Sequence, residues 1–220
     1  MVPDYIIATD GSARPNPAGG YFTGYAFVIM NYHSAQFMTH SGPLGDSPIA
    51  YAEAWALYQA IRQLNVVVDN TYEEDREKYR KRGVNLLAIT DSKLLVDTFN
   101  AWIPYVWDTS DYYHWKKADG SEVKNQDVFR YTIKAMERHR INMRIVHINS
   151  HVHDKALRNH IIAKMKRNMV RMDNWTADEL IRMNQRADDL AQEVTAKLID
   201  RNLDTLRLSS DAKNRRWKAT

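Results

Sequence analysis

Two apolar runs in this chain each end at an aspartate. Asp10 closes the strand-like run YIIATD and opens a turn rich in glycine and proline, and Asp91 closes the run NLLAITD. Burying a carboxylate is strongly unfavourable unless a cation or a hydrogen-bond donor compensates it. Both runs therefore predict sheet strands that deliver acidic side chains to their ends, and they restrict the fold to one that compensates those charges.

Two further acidic residues lie on the apolar faces of predicted helices. Glu53 falls on the stripe of a helix over 50–64, where apolar residues recur at a spacing of three or four. Asp188 borders the apolar stripe of a helix over 177–199, whereas its neighbour Asp189 points to the charged side. Oxygen ligands arranged in this way predict a site for a hard cation, Mg²⁺ or Mn²⁺.

The order of the remaining elements predicts a mixed α/β sheet flanked by helices. Strands are expected over 4–9, 21–31, 34–41, 84–90 and 142–149. Helices are expected over 50–64, 92–101, 126–140, 155–172 and 177–199. The charged segment 69–83 is expected either as a solvated insertion or as an extension of the preceding helix.

Composition limits the class of protein. The chain has 220 residues, 44% of them hydrophobic, which suffices for one large domain, and its formal net charge of +4 is compatible with a polyanionic partner. It has no cysteine, which excludes disulfides and thiolate zinc sites. No apolar run approaches the roughly 20 residues of a membrane span. No signal peptide is evident either, so we expect a cytoplasmic protein with no obligate protein partner.

Five segments of the chain resemble type 1 ribonuclease H, in that family's order and over roughly residues 4–198. They are DGSARPNPAGG (10–20), AEAWAL (52–57), TDS (90–92), WKKADG with the following VKN (115–125), and NQRADDLA (184–191). The resemblance implies the ribonuclease H-like fold, a five-stranded sheet whose first three strands are antiparallel. It also implies an endonuclease that hydrolyses the RNA strand of RNA·DNA hybrids.

The same resemblance implies that four carboxylates are catalytic, namely Asp10, Glu53, Asp91 and Asp188. They would hold two Mg²⁺ ions, for which Mn²⁺ can substitute, as two-metal hydrolysis of a phosphodiester requires. His151 would assist proton transfer or product release, with His153 as the second candidate. Taken alone, Asp10 could simply open a turn, and Asp91 with Ser92 could cap the next helix.

Four residues resemble family positions that contact the nucleic acid: Asn16, Trp102, Trp115 and Lys116. Aromatic faces and lysines suit contacts with sugar and phosphate. For Asn16 the alternative is a structural asparagine in a turn. For the two tryptophans the alternative is packing in the core.

The chain departs from the family pattern at three places. The polar segment before the glutamate helix, which helps to hold a DNA phosphate, is replaced by Ser-Pro-Ile-Ala (47–50). The basic protrusion of many bacterial members is replaced by an acidic and aromatic stretch at 107–114. A long insertion at about 155–176 precedes the last aspartate. These departures leave the strictness of hybrid specificity open.

The insertion has two open interpretations. It is either a packed surface helix with solvated charges or a nucleic-acid-binding element that replaces the missing basic protrusion. In the second case three residues would contact phosphates: Lys164, Lys166 and Arg167. We expect a catalytic domain over residues 1–200, this insertion included, and a loosely ordered basic tail over 201–220.

Two alternatives to the hybrid-specific nuclease also stay open. One is a nuclease of the same fold that acts on another structured nucleic acid. The other is a non-catalytic nucleic-acid-binding module. The four carboxylates argue against the module, because a binder gains nothing from clustered negative charge beside phosphate.

Overall fold

The computed structural model of the protein describes residues 1–149, 155–168, 170 and 177–217, without the side chains of 155–158 and 204–217. None of the helices in this part of the chain has the combination of length and hydrophobicity that a membrane span requires.

A five-stranded mixed sheet forms the centre of the molecule, in the order β3-β2-β1-β4-β5. Its strands are β1 (Tyr5–Pro15), β2 (Tyr21–Asn31), β3 (Phe37–Gly45), β4 (Asn85–Thr90) and β5 (Asn142–His147). The first three strands pair antiparallel, β4 joins β1 in parallel, and β5 joins β4 in parallel. This arrangement confirms the predicted sheet, including its antiparallel first half.

Helices cover both faces of the sheet. They are α1 (Ile49–Asp69), α2 (Glu73–Arg82), α3 (Lys93–Asp97), α4 (Gln126–Glu137), α5 (Lys155–Arg167) and α6 (Ala177–Trp217). Successive side chains of a strand point to opposite faces. Accordingly, Ile7 packs in one cluster with α1 and α4, whereas Ile6 and Ala8 pack in the other with α5 and α6.

Most of the charged segment 69–83 forms a separate helix, α2, rather than a solvated insertion or an extension of α1. Arginine–glutamate pairs one turn apart stabilise it, and Tyr79 enters the core. At its end, Arg82 forms two hydrogen bonds of 2.9 and 2.6 Å to the buried carboxylate of Asp4, just before β1. The segment is therefore tied to the edge of the sheet.

Two other boundaries differ from those expected. The predicted helix over 92–101 is α3 followed by a π-helical stretch, Thr98–Val106, which contains Pro104; a proline cannot donate a backbone hydrogen bond there. The last helix does not stop near residue 199 but continues to Trp217. Since 177–217 contains neither glycine nor proline, nothing in it interrupts a helix, and the expectation of a loosely ordered tail was wrong for this part.

Candidate active site

Asp10 and Asp91 lie side by side at one end of the parallel pair β1–β4. Ala8 pairs with Ile89 in that ladder, and the same register carried two residues further sets Asp10 opposite Asp91. β1 continues beyond this point because it still pairs with β2 as far as Pro15. The predicted turn after Asp10 is therefore strand at its start, and Asp10 lies within a rigid element.

A glycine brings the helix of Glu53 to the same end of the sheet. Gly11 approaches α1 so closely that a Cβ atom there would stand 2.6 Å from the backbone nitrogen of Glu53 and 2.8 Å from the Ala52 side chain. The half-buried Glu53 carboxylate accepts a 2.7 Å hydrogen bond from the Ser92 hydroxyl, beside Asp91. The same hydroxyl accepts from the backbone nitrogen of Leu95 and so caps α3. The capping role expected for this dipeptide therefore belongs to Ser92.

The fourth carboxylate comes from the opposite face of the sheet. A Cβ on Gly24 would stand 2.9 Å from the Ala191 carbonyl oxygen, so β2 allows α6 to lie close. Asp188, 9% exposed, accepts hydrogen bonds from the amides of Gln192 at 2.5 Å and Gln185 at 3.3 Å. Asp189 is exposed. This difference in burial is the one that the helix-face argument predicted.

The carboxylates act on one another electrostatically. Burial raises the pKa of Asp10 to about 9; the charges of Asp91 and Asp188 and a hydrogen bond with Asp188 add to the rise, and the Gly11 backbone N–H opposes it. Burial also raises the pKa of Glu53, where the Ser92 hydrogen bond opposes the shift and Asp91 adds to it. Negative charge is therefore concentrated at this end of the sheet, and no cationic side chain is among the groups that shift the pKa of Asp10 or of Glu53.

The donor chemistry of this cluster fits a hard divalent cation. Among the residues described, no three acidic, histidine or cysteine side chains are already arranged to hold a metal ion. The carboxylates interact in pairs instead, Asp10 with Asp91 and Asp188, and Glu53 with Asp91. A cation would replace the proton that burial and repulsion retain on Asp10, and carboxylate oxygens are the ligands that Mg²⁺ and Mn²⁺ prefer.

His147 and Lys164 form a second layer behind Asp91. The His147 ring hydrogen-bonds to the backbone of Asp91; burial lowers its pKa, and the charge of Lys164 lowers it further. Lys164 donates a 3.1 Å hydrogen bond to the His147 carbonyl oxygen. His151 and His153, the histidines favoured from the sequence, lie outside the described residues, so their roles stay predictions.

Comparisons with known proteins agree with this geometry. The sequence model of the RNase H family matches residues 3–196. The chain belongs to the RNase H family. The resemblance inferred from the five segments is thereby confirmed.

Named relatives cover most of the chain. Ribonuclease H of Caulobacter sp. (strain K31) is 30% identical over 156 residues, which are 70% of this chain and 85% of the relative. Ribonuclease H of Tropheryma whipplei (strain Twist) is 28% identical over 148 residues, 67% of this chain and 74% of the relative.

Solved RNase H structures share the fold. LC11-RNase H1 in complex with RNA/DNA hybrid superposes with a TM-score of 0.53 at 19% identity and covers 89% of this chain and 99% of that one. The PFV RNase H domain superposes with a TM-score of 0.56 at 17% identity, covering 89% and 96%. A foamy viral protease-reverse transcriptase with bound RNA/DNA hybrid also matches, with a TM-score of 0.55 at 17% identity; the match covers 88% of this chain and a fifth (20%) of that longer one.

The four residues of this RNase H family member that were expected to contact nucleic acid lie in different environments. Trp115 is only 4% exposed and packs in the core, which is the core-packing alternative, and its contact with a DNA strand stays a prediction. Trp102 is half-buried against Trp107, with ring centroids 5.4 Å apart. Lys116 is exposed. Asn16 accepts a 3.0 Å hydrogen bond from the Ala18 backbone nitrogen, which is the turn role.

The described part of the insertion packs against the sheet. Ile161 and Met165 of α5 are buried in the same cluster as Ile6 and Ala8, as expected for a packed surface helix. Of the three cations expected to contact phosphates, Lys166 and Arg167 are exposed at the end of α5, whereas Lys164 is half-buried beside His147. The three residues therefore do not form one solvated patch.

Sequence reasoning missed three residues that orient the carboxylates: Ser92, Gln185 and Gln192. The two glutamines could have been found from their spacing, since they lie three residues before and four after Asp188 on one helix. Ser92 gave no such signal, because its contact with Glu53 joins residues 39 apart in the chain.

Proposed function

We propose that this protein is a metal-dependent endonuclease that hydrolyses the RNA strand of RNA·DNA hybrids. The observation that carries the proposal is the burial of Asp10 against Asp91 and Asp188, which raises its pKa to about 9. Membership of the RNase H family supports the substrate class. The hybrid bound to the structural neighbour LC11-RNase H1 supports it as well.

The four carboxylates Asp10, Glu53, Asp91 and Asp188 are the proposed holders of two Mg²⁺ ions, which Mn²⁺ can replace. When bound, such ions would make a nucleophile from water at neutral pH and would stabilise the leaving oxygen of the phosphodiester. The surrounding residues orient the ligands. The Ser92 hydroxyl fixes Glu53. The amides of Gln185 and Gln192 fix Asp188 without adding charge.

A nuclease acting on another structured nucleic acid is the second candidate. The segment 47–50 favours it, because Pro48 occupies the N-cap of α1 and offers no side-chain donor for a DNA phosphate. A non-catalytic binding module is disfavoured, since buried carboxylates beside phosphates would weaken binding unless metal ions bridge the two.

Cleavage assays on three matched substrates test the proposal. End-labelled RNA·DNA hybrid, double-stranded RNA and double-stranded DNA of one sequence are incubated with Mg²⁺, Mn²⁺ or EDTA. We expect the hybrid's RNA strand to be cut with either metal and to stay intact in EDTA. Faster cleavage of double-stranded RNA would favour the second candidate. Binding without cleavage of any substrate would contradict the nuclease.

A further inference from the structure

A small pocket lies directly behind the proposed metal ligands. Its volume is about 250 Å³, and it lies between β5, α3 and α5. Its polar lining consists of Lys93, Asp97, Asn100, His147, Lys164 and Asn168. One wall comes from α5, which belongs to the insertion that distinguishes this chain from the family pattern.

The Lys164 ammonium faces this pocket. Among the described residues it contacts the His147 carbonyl oxygen at 3.1 Å and the His147 ring nitrogen Nδ1 at 3.5 Å, neither of which carries a negative charge. Burial lowers the pKa of Lys164, and the charge of Arg167 lowers it further. Among the described carboxylates, including Asp97 in the same lining, none opposes this fall. A partly desolvated cation of this kind is stabilised by an anionic ligand.

Two asparagines hold the pocket walls in place. The Asn168 side chain donates a 2.9 Å hydrogen bond to the Lys164 carbonyl oxygen, and the Asn100 side chain donates one of 3.0 Å to the Ile145 carbonyl oxygen. The first stabilises the end of α5, and the second fastens the π-helical stretch to β5. The backbone of α5 and the π-helical stretch are therefore held in place on two sides of the pocket.

The pocket adjoins the carboxylate cluster through one side chain. His147 lines the pocket and hydrogen-bonds to the backbone of Asp91. Lys93 lies two residues after Asp91 and is exposed. A nucleic-acid strand bound at the carboxylates would thus have a neighbouring phosphate close to both lysines, and phosphates are the groups that lysines neutralise in such complexes.

We propose that this pocket binds a backbone phosphate of the substrate next to the cleaved bond, with Lys164 as the half-buried cation and Lys93 at the rim. The proposal rests on the proposed function, because it takes the substrate to be a nucleic acid. It replaces the idea that all three cations of α5 act alike: Lys164 contacts the phosphate, whereas Lys166 and Arg167 remain in solvent.

Salt-dependent binding of hybrid tests this assignment independently of cleavage. The dissociation constant is measured in EDTA over a range of NaCl concentrations for wild type, K164Q, K93Q and the matched control K166Q. Removing one lysine–phosphate ion pair should lower the slope of log K against log salt by about 0.7–0.9. We expect this decrease for K164Q and K93Q and a wild-type slope for K166Q, with K164R close to wild type.

Competition with inorganic phosphate distinguishes a phosphate site from a general charge effect. At equal ionic strength, phosphate should weaken hybrid binding by wild type more than chloride does, and this difference should vanish in K164Q. The phosphate site would be contradicted if the salt slopes of both K164Q and K93Q equalled that of wild type, or if K166Q lowered the slope as much as K164Q does. Because Lys164 also donates a hydrogen bond to the His147 carbonyl oxygen, K164Q is checked for folding by thermal melting. If K164Q is unfolded, the salt slope of K93Q decides whether the pocket binds phosphate.

These measurements separate the two proposals. If the protein binds hybrid through Lys164 in EDTA and yet cleaves no substrate with metal, the phosphate site is supported and the proposed nuclease activity is contradicted. If the protein cleaves with metal but the salt slopes of K164Q and K93Q equal that of wild type, the nuclease activity is supported and the phosphate site is contradicted.

Discussion

Gly11 lies against α1 so closely that its missing side chain would stand 2.6 Å from the backbone nitrogen of Glu53. The strand that carries Asp10 and the helix that carries Glu53 are thus in direct backbone contact. Because neighbouring strand residues face opposite layers of helices, Gly11 faces α1 while Asp10 faces α6. Two adjacent residues of β1 therefore connect the carboxylates of both layers.

Gly11→Ala should impair the site through its geometry. The added methyl group meets backbone on α1, which cannot move aside easily, so we expect a loss of about 1–3 kcal/mol in the free energy of unfolding and a large loss of cleavage activity. Gly42→Ala is the control within the same sheet, since an added Cβ there would meet only ring atoms of Tyr25, at 3.2–3.3 Å, and no backbone of α1. Denaturant melts and cleavage rates measure both. Near-wild-type activity in Gly11→Ala would contradict the close approach.

Asp188→Asn should lose far more activity than Asp189→Asn. Only Asp188 is buried against the other carboxylates, while Asp189 is exposed. Even outer partners of metal sites typically contribute roughly 10–100-fold, so the loss of a ligand should reach at least the upper end of that range. Asp189→Asn should lose much less activity, because its side chain is exposed. Equal losses, measured as initial rates on one hybrid, would refute the assignment.

Ser92→Ala should weaken the site through Glu53. The Ser92 hydroxyl is the donor that orients this carboxylate, at 2.7 Å. We expect a loss of roughly 10-fold in activity and a higher Mg²⁺ concentration at half-maximal rate. The variant also loses the cap of α3, at about 1 kcal/mol of stability. Ser92→Thr, which keeps the hydroxyl, should restore both the metal response and the melting temperature; failure to restore either would contradict the double role.

In metal-free protein, Asp10→Asn should be stabilising, and more so as the pH rises. The pKa of Asp10 is raised from 3.8 to about 9 in the folded state, chiefly by burial. The folded state thus holds this proton more tightly than the unfolded state. The stability that the proton contributes is complete below pH 4 and is lost as the pH approaches 9. Asparagine is neutral throughout and escapes this loss.

Thermal melts in EDTA from pH 4 to pH 9 measure this effect. The difference in melting temperature between Asp10→Asn and wild type should grow with pH, to a gain on the order of 2 kcal/mol, or roughly 4–8 °C. Saturating Mg²⁺ should reverse the order, because only wild type has the full ligand set. A difference that is independent of pH in EDTA would show that burial and repulsion do not hold a proton on Asp10.

Much of this architecture could be predicted from sequence because the decisive signals are local. Strand runs that end at Asp10 and Asp91, and the helical periodicity that separates Asp188 from Asp189, are visible within a dozen residues. The five-stranded sheet with three antiparallel first strands followed from the family resemblance once those elements were placed.

The contacts that could not be predicted are long-range. The burial of Trp115 depends on packing against distant elements, including a hydrogen bond from its backbone nitrogen to the Gln126 side chain. Likewise, α5 carries three similar cations in sequence, and only the position of His147 at the end of β5 distinguishes Lys164 from the other two.

The central claim is that the carboxylate cluster hydrolyses RNA in a hybrid with metal ions. The most direct measurement follows cleavage of end-labelled RNA in an RNA·DNA hybrid by wild type and Asp10→Asn, with binding of the same hybrid recorded for both. We predict internal cuts by wild type in Mg²⁺ or Mn²⁺ and none in EDTA. Asp10→Asn should fold and bind the hybrid without cutting it. Wild-type protein that binds the hybrid and leaves its RNA intact in both metals would contradict the claim.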